Sequence, residues 1–177
     1  MAQTPMYIED SLSDVVDVVS TTLGLDIYFT FGPVAEIINK MVAMTKQPSG
    51  QSRYPLIALL TDFPEEMGES TNIYSRATVN LIIANWTNPK IMAEKRLTDN
   101  FKTVLMPIYE QLKTSLRQSN LFDIEDEREI RHTMYKRYNF GRSQFFSTGT
   151  GADFIDAVEI QNMELSLKSH NCLILKT

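Results

Sequence analysis

The side chains that could do chemistry are few and scattered. His132 and His170 are the only histidines of the 177-residue chain, and neither has a second ligand at a spacing such as HxxxH or HxxE. A bound metal needs several such groups converging, so both read as ordinary surface or core residues. The single cysteine, Cys172, lies beside Asn171, away from any strand-to-helix turn that would present a nucleophile. It reads as a buried or idle thiol, and one cysteine excludes an intramolecular disulfide and fits a reducing compartment. Glu65-Glu66 and Glu125-Asp126-Glu127 could supply paired carboxylates for glycoside hydrolysis. That chemistry needs an apolar pocket to hold one carboxyl protonated, and both groups fall in polar connectors, so solvated charge is the better reading. Gly149-Thr150-Gly151 is a lone GxG without a preceding strand or a following Lys-Ser/Thr, which is too little for a phosphate cradle.

One stretch could meet nucleic acid. Arg131, Lys136, Arg137 and Arg142 interleave with Tyr135, Tyr138 and Phe140, and such aromatics can stack bases while the cations hold phosphates. An outer strand with charged edges has the same pattern. The chain as a whole carries 22 acidic and 17 basic residues, a formal charge of −5, which disfavours gripping phosphate and favours the strand. The same acidity suits a surface past which DNA slides without sticking. No cofactor or metal is expected, and the missing chemistry points to a structural or interaction protein.

The elements that would position any site follow from hydrophobic periodicity. The frame is a long strand over 73–84 followed by the longest helix. In the strand Ile73, Ala77, Val79, Leu81 and Ile83 alternate with polar or small residues. In the helix Leu97, Phe101, Val104, Leu105, Ile108, Leu112 and Leu116 form one stripe, with Thr98 as its expected N-cap. Pro107 lies within that stripe and predicts a kink near Thr103 without a stop. One strand under one helix implies a two-layer core.

A first helix is expected over 11–23, capped by Asp10 or Ser11 and ended by Gly24. A short strand over 27–31 and a second helix over 33–46, opened by Pro33, come next. Residues 54–61 are apolar on both faces and predict a central strand. The connection 62–72, with Glu65, Glu66 and Glu69, reads as an exposed acidic loop between antiparallel strands. An outer strand is expected over 130–138, and an exposed loop over 139–153 holds Arg142 and the pair Phe145-Phe146. In the closing strand over 157–167, Val158 and Ile160 have one parity and Met163, Leu165 and Leu167 the other. A bulge near Gln161-Asn162 would reconcile them.

The fold class is therefore α+β: a mostly antiparallel sheet of four to five strands against two or three helices, one long and kinked, in a single domain over 1–177. The hydrophobic content of 43% suffices for a real core. The acidic first twenty residues do not read as a signal peptide, and no apolar run reaches membrane-spanning length. A soluble protein made in the cytoplasm is expected.

Five stretches together resemble tail-completion (tail-terminator) and head–tail joining proteins of tailed bacteriophages. They are Tyr54-Pro55-Leu56-Ile57-Ala58-Leu59-Leu60, Thr78-Val79-Asn80-Leu81-Ile82-Ile83, Arg96-Leu97-Thr98-Asp99-Asn100-Phe101, Val104-Leu105-Met106-Pro107-Ile108-Tyr109, and Phe154-Ile155-Asp156-Ala157-Val158-Glu159-Ile160. They are apolar-pattern motifs within residues 20–167, and the 139–153 loop departs from the family pattern. The resemblance implies a homo-oligomeric virion ring, a hexamer first and a dodecamer second. Its partners would be other neck and tail proteins, with DNA passing unbound through the centre. Arg142, Phe145, Phe146, Glu65, Glu66 and Glu69 are the candidate interface residues. A small enzyme with a scattered site, or a host-side adaptor, is the alternative.

Overall fold

The computed structural model describes residues 7–46, 53–67, 73–88, 90–124, 130–140 and 155–168. Helix α1, Ile8–Leu23, buries Ile8, Leu12, Val15, Val16 and Val19 along one side. It begins before the expected caps. Tyr7 is the extended N-cap residue, while Ser11 is buried inside the helix and donates its backbone N–H to Tyr7 O at 3.1 Å. Fully buried Ile8 adds a further position to the apolar stripe, and that burial carries the helix back past Asp10. Gly24 ends it in the left-handed region, φ 62°, where a side chain would be strained.

Strand β1, Tyr28–Gly32, helix α2, Val34–Thr45, and strand β2, Leu56–Leu60, form a β-α-β unit with β1 and β2 parallel. Parallel neighbours need a crossover long enough to bring the chain back, and α2 supplies it. Half-buried Tyr54 donates its hydroxyl to Met41 O at 2.9 Å, tying the start of β2 to α2. That burial raises its phenol above the usual tyrosine range.

Strand β4, Ile73–Trp86, runs antiparallel to β2 and to β6, Ile155–Lys168, and β5, Thr133–Arg137, flanks β6. The six-stranded sheet has the order β1-β2-β4-β6-β5, with the short β3, Glu65–Met67, also paired to β4. It is thus a mixed sheet with one parallel pair. β3 corrects the expectation of a plain loop over 62–72: Glu65, Glu66 and Met67 stand opposite Ala77, Arg76 and Ser75. All three are exposed, so no apolar alternation marks them as a strand, and the backbone of β4 recruits them.

The two-layer expectation is also corrected. On one sheet face, Ile57, Leu59, Val79, Leu81, Ile83, Val158, Ile160, Met163 and Leu165 pack against α1 and the long helix. On the other, Leu56, Ala58, Ile82, Ala84 and Ala157 pack against Ile37, Ile38 and Met41 of α2. The second layer arises because β2 is apolar on both faces. The phase change in β6 resolves as expected: Val79 faces Met163 but Leu81 faces Ile160, so the extra residue lies at Gln161-Asn162. Asn162 has φ 55°, and its N–H donates to Asn80 Oδ1 at 2.9 Å.

The long helix, α3, is α-helical over Ala93–Arg96, π-helical over Leu97–Leu105 and α-helical over Met106–Gln118. Met92 is its N-cap residue, so Thr98 lies inside it and bonds back to Glu94 O at 3.3 Å. Pro107 interrupts nothing. Because the turns before it bond i→i+5, with Met106 N–H on Phe101 O, the α-helical ladder restarts at Met106 and places Pro107 in its first turn. There the missing N–H has no partner to lose.

Candidate functional site

Among the described residues the sheet has no strand beyond β5 on one side or beyond β1 and β3 on the other, and β5 and β3 carry opposite charge. Beyond β6 lies β5, whose residues Thr133, Tyr135 and Lys136 are exposed. Arg137 Nε donates to Glu159 Oε2 at 2.8 Å, and its guanidinium lies 4.6 Å from the Tyr135 ring centre. Lys136 makes no ion pair among the described residues. On the far side of β4, β2 pairs with residues 80–84 and β3 with 75–77, so β3 forms an edge below β1. Glu65 and Glu66 carry no ion pair among the described residues either, and Met67 is 61% exposed. The edge of β1 has a different character. Phe31 is exposed there, while Lys40 Nζ and the Arg53 guanidinium lie 5.3 and 5.4 Å from the Tyr28 ring centre. The hydrogen bond from Lys40 is the main cause that draws the Tyr28 phenol below its usual range, partly opposed by burial.

Of the interface residues expected from sequence, Glu65 and Glu66 lie together on β3. Arg142, Phe145, Phe146 and Glu69 lie outside the described residues, as do Cys172, His170, Glu125-Asp126-Glu127 and Gly149-Thr150-Gly151. Among its described residues, several members of the basic and aromatic stretch are engaged within the fold. Phe140 is buried, Tyr138 packs on Phe101 with ring centres 4.6 Å apart, and Arg137 is held by Glu159. His132 serves a structural contact. Its Nδ1 lies 2.6 Å from Ile130 O and must donate, so in the neutral ring Nε2 accepts from Tyr109 Oη at 2.7 Å.

Sequence reasoning missed a buried polar cluster where α3 crosses the end of β6. Asp156 is 0% exposed and Arg96 5%. Arg96 clasps the carboxylate with both Nε, at 3.0 Å, and Nη2. Asn100 Nδ2 donates to Asp156 Oδ2 at 2.9 Å, Asn85 Nδ2 to Asn100 Oδ1 at 2.8 Å, and the Asn139 N–H to Asp156 Oδ1 at 3.4 Å. Tyr138 covers the guanidinium, 5.4 Å from its ring centre. The available signals were an Asp inside an apolar strand and an Arg and Asn four apart on one helix flank. All the carboxylate's partners come from the chain itself, so this cluster fixes geometry; beside it the Asn139 Oδ1 is buried without a hydrogen-bond partner among the described residues.

A cleft of about 620 Å³ opens beside β3 and the paired ends of β4 and β6, lined by Pro64, Glu66, Ile73, Arg76, Ala77, Thr78, Asp123, Ile124, Ile130, Arg131, Glu164, Leu165 and Ser166. Among the described residues no three His, Cys, Asp or Glu side chains are grouped to hold a metal ion, and no helix is long and apolar enough to cross a membrane. No protein-family profile matches the chain, and no curated protein is similar to it.

The exposure of β3 carries its own expectation. Replacing Glu65 and Glu66 together by Gln should change the unfolding free energy by no more than about 0.5 kcal/mol, because both side chains are solvated. Urea unfolding of dilute protein measures this. A loss of several times that figure would mean that the carboxylates are held by contacts outside the described residues.

Proposed function

We propose that the chain is a non-enzymatic virion protein of a tailed phage, a ring subunit at the tail end or the head–tail junction. The observation that carries this reading is a sheet with no further strand, among the described residues, at two opposite edges. Open edges are templates for further strands, and edges on opposite sides of one subunit favour head-to-tail association, which gives a ring where the rotation between copies closes. The stretches that resemble tail-completion proteins support it. They fall on β2, β4, α3 and β6, the elements that build both cores. Under this reading the subunit is made in the host cytoplasm and assembles as a hexamer, with a dodecamer as the next choice. It contacts other neck and tail proteins and lets DNA pass without specific binding.

Native mass and negative-stain images of the purified protein should show a closed ring. Labelled antibody should mark one site per virion, at the neck. Labelling along the whole tail would make the protein a tube subunit, and unlabelled virions would remove the structural reading. The cleft beside Arg76 and Arg131 favours a second reading, a small enzyme or a host-side adaptor with a polar ligand. A monomer that turns over ester or nucleotide substrates would support it.

A further inference from the structure

We propose that two copies of this chain pair edge to edge through β1, antiparallel about a two-fold axis at Thr30, so that one sheet runs on into the other. The proposal does not rest on the ring reading, and it leaves the outer edges of β3 and β5 untouched.

The backbone sets the register. Tyr28 N–H donates to Pro55 O and Thr61 N–H to Gly32 O, so residues 28, 30 and 32 turn their N–H and C=O groups toward β2. Alternation turns those of Phe29 and Phe31 the other way, where no strand lies among the described residues. A second β1 set antiparallel, with Phe29 of each copy opposite Phe31 of the other, exchanges hydrogen bonds with all of these outward groups. Thr30 then faces Thr30, and Tyr28 faces Gly32. The axis stands perpendicular to the sheet, so each face continues into the like face. A two-fold contact of this kind is closed by its own symmetry.

The side chains agree with that register. None of the five β1 residues is charged, and Phe31 is 52% exposed, which leaves the edge without the usual guards against another strand. Phe29 and Phe31 stand opposite Ile57 and Leu59, on the side covered by α1 and α3, with ring centres 6.4 Å apart. Pairing sets Phe29 against Phe31 twice, and cross-strand aromatic pairs stabilise a ladder. On the α2 side, Gly32 has no side chain to obstruct the Tyr28 ring that faces it. Charge decides between occupants. Glu36 Oε2 lies 3.6 Å from the place a Gly32 Cβ would take, and Glu36 makes no ion pair among the described residues. Lys40 Nζ and the Arg53 guanidinium flank the Tyr28 ring at 5.3 and 5.4 Å from its centre. Tyr28 facing Gly32 therefore sets Glu36 of each copy against Lys40 and Arg53 of the other. The two Lys40 ammoniums, each on its own Thr30 hydroxyl, also approach the axis, so the pair depends on those carboxylates. The rival occupant is β5 of another copy, which lies level with β1 across the sheet. It carries Lys136 and Arg137 and no acidic residue to meet Lys40 and Arg53.

The first test is Thr30→Cys in a Cys172→Ser background. Facing residues of a non-hydrogen-bonded pair lie about 4.5 Å apart at Cα, within disulfide reach. A single cysteine on the axis can link only two copies, so oxidation should turn the chain into covalent dimer. The second test reads sedimenting mass. Glu36→Arg should halve it, Arg53→Glu should weaken the pair, and the double variant should restore the wild-type mass. No crosslink from folded Thr30→Cys overturns the pairing. If that variant does not fold, reversals that leave the mass unchanged overturn it instead. Covalent chains of three or more copies from Phe31→Cys with Met134→Cys would replace it with β5 as the occupant. A wild-type ring without the Thr30 crosslink overturns this pairing and leaves the ring reading standing, whereas a crosslinked dimer that forms no ring does the reverse.

Discussion

Deleting Glu164 should destabilise the fold by about 3–6 kcal/mol, whereas deleting Asn162, two residues earlier, should cost about 1 kcal/mol or less. Met163, Leu165 and Leu167 reach the α1 and α3 side only because a bulge at Gln161-Asn162 shifts their phase. Removing Asn162 removes the extra residue. Met163 then follows Ile160 at a spacing of two, still opposite Val79, and the loss is an exposed hydrogen bond to Asn80. Removing Glu164 offers no such exit. If the bulge stays, Leu165 and Leu167 turn outward, each giving up about 1.5–3 kcal/mol of burial. If the bulge straightens, Asn162 is buried in place of Met163, and the lost burial plus an unpaired amide comes to a similar total. Total stability for domains of this kind is about 5–15 kcal/mol, so the Glu164 deletion should show a shallow or absent urea transition. Equal stability of the two deletion variants would mean that β6 is not held in register by its inward residues.

What could be read in the sequence, and what could not, follows one physical division. Positions where apolar burial alternates were legible: the bulge followed from the parity of five residues, and the α3 stripe from Phe101, Leu105, Ile108, Leu112 and Leu116, all fully buried. Gly24 was legible because a left-handed helix end favours a residue without a side chain. β3 was not, since a strand exposed on every residue has no period, and only its partner β4 reveals it. The start of α3 was misjudged for a related reason. Its first turn is anchored by the buried charge of Arg96, which hydropathy counts as surface, and so Thr98 looked like the boundary. The parallel pairing of β1 with β2 was implicit in the order strand, helix, strand, yet each strand alone carries no sign of direction. As for the candidate site, Glu65 and Glu66 were visible as charges, but their place on an open edge depends on sheet order, which is set by long-range pairing.

The buried cluster supplies the other large effect. Asp156→Ala should lower the unfolding free energy by about 3–5 kcal/mol, because it leaves the Arg96 guanidinium inside the protein without its counter-charge. Asn100 and the Asn139 N–H lose their acceptor in the same step, so α3, the end of β5 and β6 are loosened together. Removing both charges should be far less damaging. In Arg96→Met with Asp156→Leu, the two side chains fill comparable space without desolvated charge, and replacing buried pairs in this way is often neutral. The double variant should therefore recover most of the loss, with the unpaired Asn100 amide accounting for about 1–3 kcal/mol of what remains. Urea unfolding of Arg96→Met, Asp156→Leu and the double closes the cycle. If Asp156→Ala costs less than about 1 kcal/mol, the guanidinium is reached by water and the cluster does not pin α3 to the sheet. If the double variant is as unstable as the worse single, the polar network itself, and not the uncompensated charge, holds the crossing of α3 over β6.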